Sequence, residues 1–305
     1  MTPLTDRNYW KGKRVLITGA AGFVGRYVTD ALLEKNAEVV ATSRRDRSSV
    51  EARAVQWVRL DLSDRPGVES LIGKMRPHVV FHLSSLANGA RDSSLVVPTF
   101  EAEVVTTLNL LLALHNKSVE SVVLPGSLEE PEGEDTPSSP YAAAKVTTRN
   151  YARMFQLLYG LPIVYTRVFM CYGPGQPDWK LIPYLIRCFQ SGSPPAVASP
   201  DRAIDWIFAG DAAQGLLAAA SIPSLLGRTI DVGSGRLVTI GDIAEKVRAL
   251  TNSSVEGDYG AAAPRAHEQT RCADAEATFR LTGWRARVPL DEGLKITINA
   301  NGEDG

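Results

Sequence analysis

Cysteine is scarce in this 305-residue chain. Cys171, Cys188 and Cys272 are odd in number and far apart, which excludes a disulfide framework and the close Cys spacing of a zinc site. Free thiols suit a reducing compartment, so a cytoplasmic location is expected. An excess of either charge is also lacking, with 33 Lys and Arg against 34 Asp and Glu. Binding to nucleic acid or anionic lipid through bulk charge is therefore not expected. No apolar run approaches the ~20 residues of a membrane span. The densest, 104–114, contains Thr106, Thr107 and Asn109. Lys11, Lys13 and Arg14 before an apolar stretch imitate a leader, but Gly19, Gly22 and Gly25 punctuate that stretch as a strand–turn–helix would. With 44% hydrophobic and 22% charged residues, the chain has the composition of a packed globular protein of one large or two ordinary domains.

Short β-rich runs alternate with helical patterns in the first half. The predicted strands are 14–18, 38–42, 55–60, 78–83, 121–124 and 162–169. Most are continuously apolar, as parallel strands buried on both faces are. Helical periodicity lies near 22–35, 64–75, 98–116 and 138–159. This alternation predicts a doubly wound parallel sheet of the Rossmann type over residues 1–169. Residues 170–305 are expected to form mainly a smaller mixed α/β substrate region, with later segments returning to the first domain. Helices are predicted at 181–190, 211–221, 239–251 and 273–282, with a strand at 229–232. The polar tail, 299–305, is expected to fray.

The first strand runs straight into Gly19-Ala20-Ala21-Gly22-Phe23-Val24-Gly25. Such a loop permits a tight turn and close backbone approach to a pyrophosphate, and the helix it opens offers unpaired N–H groups and a positive dipole end. The end of the second strand reads Thr42-Ser43-Arg44-Arg45, with no carboxylate for a ribose 2′-hydroxyl. Guanidinium groups pair with a 2′-phosphate, which favours NADP(H) over NAD(H). Asp61, after the third strand, is placed to meet the adenine amino group. Gly19, Ala21, Gly22, Phe23, Val24, Gly25, Ser43, Arg44, Arg45, Asp61, Leu62 and Leu83 are the candidate cofactor-binding residues, together with Tyr141 and Lys145.

Tyr141 and Lys145 are four apart, on one face of a predicted helix. An ammonium beside a phenol favours the phenolate and is expected to pull its pKa down from ~10. Such a tyrosine can move a proton while a nicotinamide carbon moves a hydride. Ser127 follows the fifth strand and the turn expected at Pro125-Gly126, at the carboxyl edge where open α/β sheets bind ligands. Its hydroxyl can hold the substrate oxygen.

These features together resemble the extended short-chain dehydrogenase/reductases, and within them the NAD-dependent epimerase/dehydratase family that acts on nucleotide-diphosphate sugars. The segments 167–175, 202–211 and 231–235, the pair His82-Leu83 and the pair Gly283-Trp284 also fit. The resemblance implies that Tyr141 is the acid/base, that Lys145 tunes it and binds the nicotinamide ribose, and that Ser127 positions the reacting sugar oxygen. It implies Arg202, and secondarily Lys180, as ligands of the sugar-nucleotide diphosphate, and Glu129 as the proton-abstracting base of a dehydratase. The chain also departs from the family. Met170 replaces an Asn expected to touch substrate, Glu103 stands where the fourth helix commonly carries Asn, and Leu128 replaces a polar residue that assists dehydration. The stretch from Ser127 to Tyr141 is shorter than in extended members. Glu130, Glu132, Glu134 and Asp135 are expected to form a solvated acidic loop.

The implied function is hydride transfer at a ring carbon, C4, of a nucleotide sugar by a 4-ketoreductase or an epimerase. The alternatives are a nucleotide-sugar dehydratase, a reductase of a small carbonyl compound, or a non-catalytic NAD(P)-binding sensor. The helices near 98–116 and 138–159 carry more apolar residues than one buried stripe requires, which predicts a homodimer through that pair.

Overall fold

The structure is a computed structural model and describes residues 8–47, 54–133, 135–260 and 270–302. Its first elements are β1 (Arg14–Thr18), α1 (Phe23–Glu34), β2 (Glu38–Ser43), β3 (Val55–Arg59), α2 (Arg65–Met75) and β4 (Val79–His82). α3 (Val96–Phe100), a π-helical turn at Glu101–Val105 and α4 (Thr106–Leu114) then form one continuous helix. β5 (Ser121–Ser127), α5 (Pro140–Tyr159), β6 (Ile163–Val168), β7 (Met170–Tyr172), α6 (Leu181–Gln190), β8 (Ala196–Val197) and β9 (Ala203–Phe208) follow. The chain closes with α7 (Ala209–Ala220), β10 (Thr229–Val232), β11 (Leu237–Thr239), α8 (Ile240–Leu250), β12 (Asp258–Tyr259), α9 (Ala275–Thr282) and α10 (Leu290–Gly302).

The main sheet has seven parallel strands in the order β10-β6-β5-β4-β1-β2-β3. Successive residues of β1 enter opposite layers, which explains its unbroken apolar run. Val15 and Ile17 pack with Val28 and Leu32 of α1 and Leu216 and Leu217 of α7. Leu16 packs on the other face with Ile72 of α2, Leu110 and Leu111 of α4 and Phe155 of α5. The strand order reverses between β1 and β4, and the crevice at their carboxyl ends is the general ligand position of such sheets. Residues after 169 supply both β10, on the sheet's edge, and α7, against α1. They also build a second core of Tyr172, Ile182, Leu185, Ile204, Ile243 and Leu294 around the small sheet β11-β9-β7.

Four sequence expectations need correction. Pro125 and Gly126 are not a turn: β5 continues through them to Ser127, paired with β6. A Cβ on Gly126 would lie 2.2 Å from a Glu130 carboxylate oxygen and 2.4 Å from the Tyr165 ring, so this glycine makes room for buried side chains inside a strand. Two of the three small-sheet strands, Met170–Tyr172 and Leu237–Thr239, were too short to register as periodic runs. Asn299–Gly302, read as tail, completes α10, while 303–305 lie outside the described residues. The helix spanning Ser93–Leu114 is long and apolar enough to cross a membrane by length and composition, although no single apolar run suggested it. Leu110, Leu111 and Leu114 nevertheless lie in the core beneath the sheet, and Glu103 in its middle is ion-paired.

Candidate active site

Local sequence explains the loop that opens the crevice. Gly19 holds φ +70°, and Gly22 donates its N–H to the Gly19 carbonyl at 2.9 Å. A Cβ on Gly25 would lie 2.1 Å from that same carbonyl oxygen, and one on Gly19 2.5 Å from the Leu83 backbone. The turn therefore closes only without side chains, and it brings the start of α1 against the end of β4. Gly22 is the N-cap of α1 and supplies no side-chain cap, which leaves the first-turn N–H groups of Phe23 and Val24 for a ligand. This cradle fits a dinucleotide pyrophosphate. Leu83, beside it, donates its N–H to the Thr18 carbonyl.

Ser43 ends β2, and Arg44 follows it near Asp61, with Arg45 next in the chain. The Arg45 N–H binds the Ser43 hydroxyl at 3.1 Å. Asp61 accepts from the Ser63 N–H at 2.9 Å and the Ser63 hydroxyl at 2.8 Å. Those bonds, with Arg44 nearby, hold its carboxyl below the usual range. The Leu62 carbonyl accepts from Asn109 at 2.9 Å, which ties this edge to α4.

Ser127, Tyr141 and Lys145 converge at the carboxyl end of β5, the strand next to β4. β5 delivers Ser127 at its carboxyl end, buried. α5 is started by Ser139, whose hydroxyl caps the Ala142 N–H at 3.1 Å, and by Pro140 in its first turn. One turn on, the Lys145 ammonium sits 5.5 Å from the Tyr141 ring centre and donates to the Pro125 carbonyl at 3.0 Å. The Ser127 hydroxyl lies close enough to the phenol to favour its ionised form, and it accepts from the Glu129 N–H at 3.1 Å.

The electrostatics depart from the expected simple lowering of the phenol. Tyr141 is held up at about 12 in all: burial raises it most, Lys145 pulls against that, and Glu103 adds to the rise. Glu103 is a site residue that sequence reading noted only as a mismatch. Its carboxylate lies 2.8 Å from the Lys145 ammonium. Burial works against the ammonium, yet Glu103 outweighs it and holds Lys145 above the ordinary lysine range. His82, buried between the hydroxyls of Thr18 at 2.7 Å and Thr107 at 3.0 Å, is pushed down to about 4 by burial and by Lys145.

Beyond Ser127 the chain alternates. Leu128 points into the second core, which is why an apolar residue stands there and why it adds nothing polar to the site. Glu129 turns back toward the site: a Cβ on Gly89 would lie 2.9 Å from its carboxylate, and it acts electrostatically on both Tyr141 and Lys180. Lys180, the N-cap residue of α6, reaches across to the Ala87 carbonyl at 2.9 Å, with its ammonium over the Trp179 ring. Met170 pairs with Trp206 in the small sheet and packs against the second core. Arg202 precedes β9, its carbonyl accepting from Ile240 at 3.0 Å. Contacts thus bring Lys180, the secondary candidate, into the cleft with Glu129.

The acidic segment is not a uniformly solvated loop. Glu130 is buried, accepts from the Ser127 N–H at 2.7 Å and the Tyr165 hydroxyl at 2.9 Å, and pairs with Arg149 at 3.1 Å. Arg271 donates to the Glu130 carbonyl at 2.6 Å and pairs with Glu132 at 3.2 Å. The short segment after Ser127 is thereby pinned under the site. Glu134 lies outside the described residues.

A glycine turn at a helix start and a Ser–Tyr–Lys cluster at the carboxyl edge of a parallel sheet define a nucleotide-binding oxidoreductase of the short-chain dehydrogenase/reductase type. A profile of the NAD dependent epimerase/dehydratase family matches residues 15–233, and the chain belongs to that family. It is 26% identical to a UDP-glucuronate 4-epimerase of Thermodesulfobacterium geofontis, over 95% of this chain and 96% of the relative. It is 27% identical to a probable dTDP-glucose 4,6-dehydratase of Sinorhizobium fredii, over 96% and 93%. Among solved structures, the Bordetella bronchiseptica enzyme WbmF in complex with NAD+ and UDP superposes with a TM-score of 0.85 at 26% identity, covering 97% of this chain and 94% of that one.

Proposed function

We propose that the protein transfers hydride at C4 of a nucleotide-diphosphate sugar, as a 4-ketoreductase or an epimerase. The observation that carries this reading is the convergence of Ser127, Tyr141 and Lys145 two strands away from the glycine cradle, across β4. A nicotinamide ring, when bound, supplies or accepts the hydride. Ser127 holds the sugar oxygen in line with the phenol. Tyr141 gives a proton to that oxygen when a carbonyl is reduced and takes one when an alcohol is oxidised. Lys145, with two contacts to Glu103 and Pro125, has a third N–H for the nicotinamide ribose. Gly19, Ala21, Gly22 and Gly25, with the first-turn N–H groups of α1, hold the pyrophosphate. Lys180 faces the sugar nucleotide's phosphates from the opposite wall, with Arg202 further along.

The cofactor is NADP(H) in preference to NAD(H). Supporting this, β2 ends without a carboxylate, and Arg44 and Arg45 follow Ser43. The support for NADP(H) comes from this chain's own residues, whereas the structurally similar WbmF was solved with NAD+. A second reading, dehydration with Glu129 as the base, is favoured by the position of that carboxylate beside Tyr141 and Lys180.

The chain is a homodimer in this reading. Val97 is 63% exposed on α3 and Leu157 80% exposed on α5, with Val96, Phe100 and Leu158 around them, and α3 and α5 are in contact. Light scattering at micromolar concentration is expected to give twice the chain mass.

Thermal-shift screening with NAD, NADP and UDP-, GDP-, dTDP- and CDP-sugars tests the function, because ligands of the native state raise its melting temperature. NADP and one nucleotide-sugar series are expected to stabilise. With the sugar identified, Tyr141→Phe should cut turnover ~10²–10⁴-fold. Unchanged turnover in that variant defeats the catalytic reading.

A further inference from the structure

Glu103 is 2% exposed, in the middle of an apolar helix. A carboxylate so placed is stable only with strong partners. It has three, from two elements. One oxygen faces the Lys145 ammonium of α5 at 2.8 Å. The other accepts from the Ser85 hydroxyl and from the Leu86 N–H at 2.8 Å, both in the loop after β4. The π-helical turn at Glu101–Val105 carries this side chain, and such turns are frequent at functional sites. An amide would tie the loop to the helix nearly as well, since its oxygen also accepts from Ser85 and Leu86. What an amide lacks is the negative charge on Lys145.

We propose that Glu103 is a positioning residue that acts on Tyr141 through Lys145, fixing the ammonium and offsetting its charge so that Tyr141 is held as a proton donor rather than a phenolate. The proposal rests on Tyr141 as the proton-transfer group. The other groups around the phenol do not replace this effect. His82, behind Lys145, stays neutral at working pH. Glu130 is paired with Arg149, and Glu129 faces Lys180 as well as the phenol. Lys145 is the group that draws the phenol down, and Glu103 is its direct counter-ion. A phenol kept protonated favours giving a proton to a carbonyl oxygen over taking one from an alcohol at neutral pH. The site is therefore set for a substrate that arrives as a ketone, the product of a preceding oxidation or dehydration of the sugar ring.

The test is a titration of phenolate absorbance in the ligand-free full chain. Glu103→Gln, Glu103→Asn and the unaltered protein are each compared with the matching Tyr141→Phe partner, so that the difference reports Tyr141 alone. Glu103→Asn is a second neutral variant and serves if Glu103→Gln does not fold. The Tyr141 transition is expected to move down by about one pH unit or more, a roughly tenfold change in acid constant, in both neutral variants. Glu103→Asp, which keeps the charge, should stay near the unaltered protein. A Tyr141 transition that stays in place in the neutral variants, with only the melting temperature lowered, overturns the proposal and leaves Glu103 a structural tie. That outcome differs from failure of the functional reading, in which Tyr141→Phe retains turnover whatever the titration gives.

Discussion

Lys145 and Glu103 form a buried ion pair 2.8 Å long that joins the catalytic helix α5 to its neighbouring helix. Removing the cation should be costly. Lys145→Met leaves the Glu103 carboxylate buried without its counter-charge, which typically costs about 3–5 kcal/mol. Urea unfolding at neutral pH should show that loss. The double variant Lys145→Met/Glu103→Leu should recover a good part of it, because no unpaired charge remains.

Acid lability is expected from His82. In the folded protein this imidazole is pushed down to about 4 by burial and by Lys145, whereas in the unfolded chain it titrates at its ordinary value. As pH falls through roughly 6.5 to 4, the unfolded state takes up a proton that the folded state refuses, so stability declines over that window. The total loss is on the order of 3 kcal/mol. Glu103 acts lower down. Burial alone would raise its carboxyl, but Lys145, Ser85 and the Leu86 N–H hold it below the usual range. Its contribution is present above the unfolded carboxyl pKa and is lost as pH falls through the folded one. His82→Asn should flatten the upper part of a stability-versus-pH curve and leave the lower part.

Gly126→Ala should disable the site without unfolding the sheet. Its Cβ would fall 2.2 Å from Glu130 and 2.4 Å from the Tyr165 ring. The Glu130 carboxylate that holds the Ser127 N–H must then move, and the serine moves with it. Turnover is expected to fall ~10²-fold, the scale of a small misplacement of reacting groups. Cofactor binding, measured by fluorescence or thermal shift, should be kept.

Leu128→Asp separates two accounts of that position. A residue facing the substrate would tolerate a carboxylate and gain dehydratase character. Leu128 instead lies in the second core with Phe169 and Ile204. The variant should lose several kcal/mol or fail to accumulate as folded protein. Calorimetry of the purified variant reads this directly.

Gly25→Ala should abolish the cofactor site through the backbone. The added methyl would sit 2.1 Å from the Gly19 carbonyl oxygen. The turn opens, and thermal stabilisation by NAD or NADP should disappear while the far-ultraviolet circular dichroism of the sheet is retained.

Much of this was legible in the sequence because the signals are local. Apolar runs and glycine spacing depend on neighbouring residues alone. They gave the β–α order, the cradle from Gly19 to Gly25, and the pairing of Tyr141 with Lys145 on one helical face. Short strands such as Met170–Tyr172 escaped because three residues carry no readable period.

By itself, then, the sequence determined the parallel sheet, the crevice edge and the three side chains that meet there. Tertiary structure alone decided their electrostatic setting. Glu103 lies 42 positions before Lys145 in the chain, and Glu130 reaches Tyr165 and Arg149 only because β5, β6 and α5 are stacked together. Charges that neutralise each other across a core leave no local pattern, because their effect depends on distance and burial rather than on order along the chain.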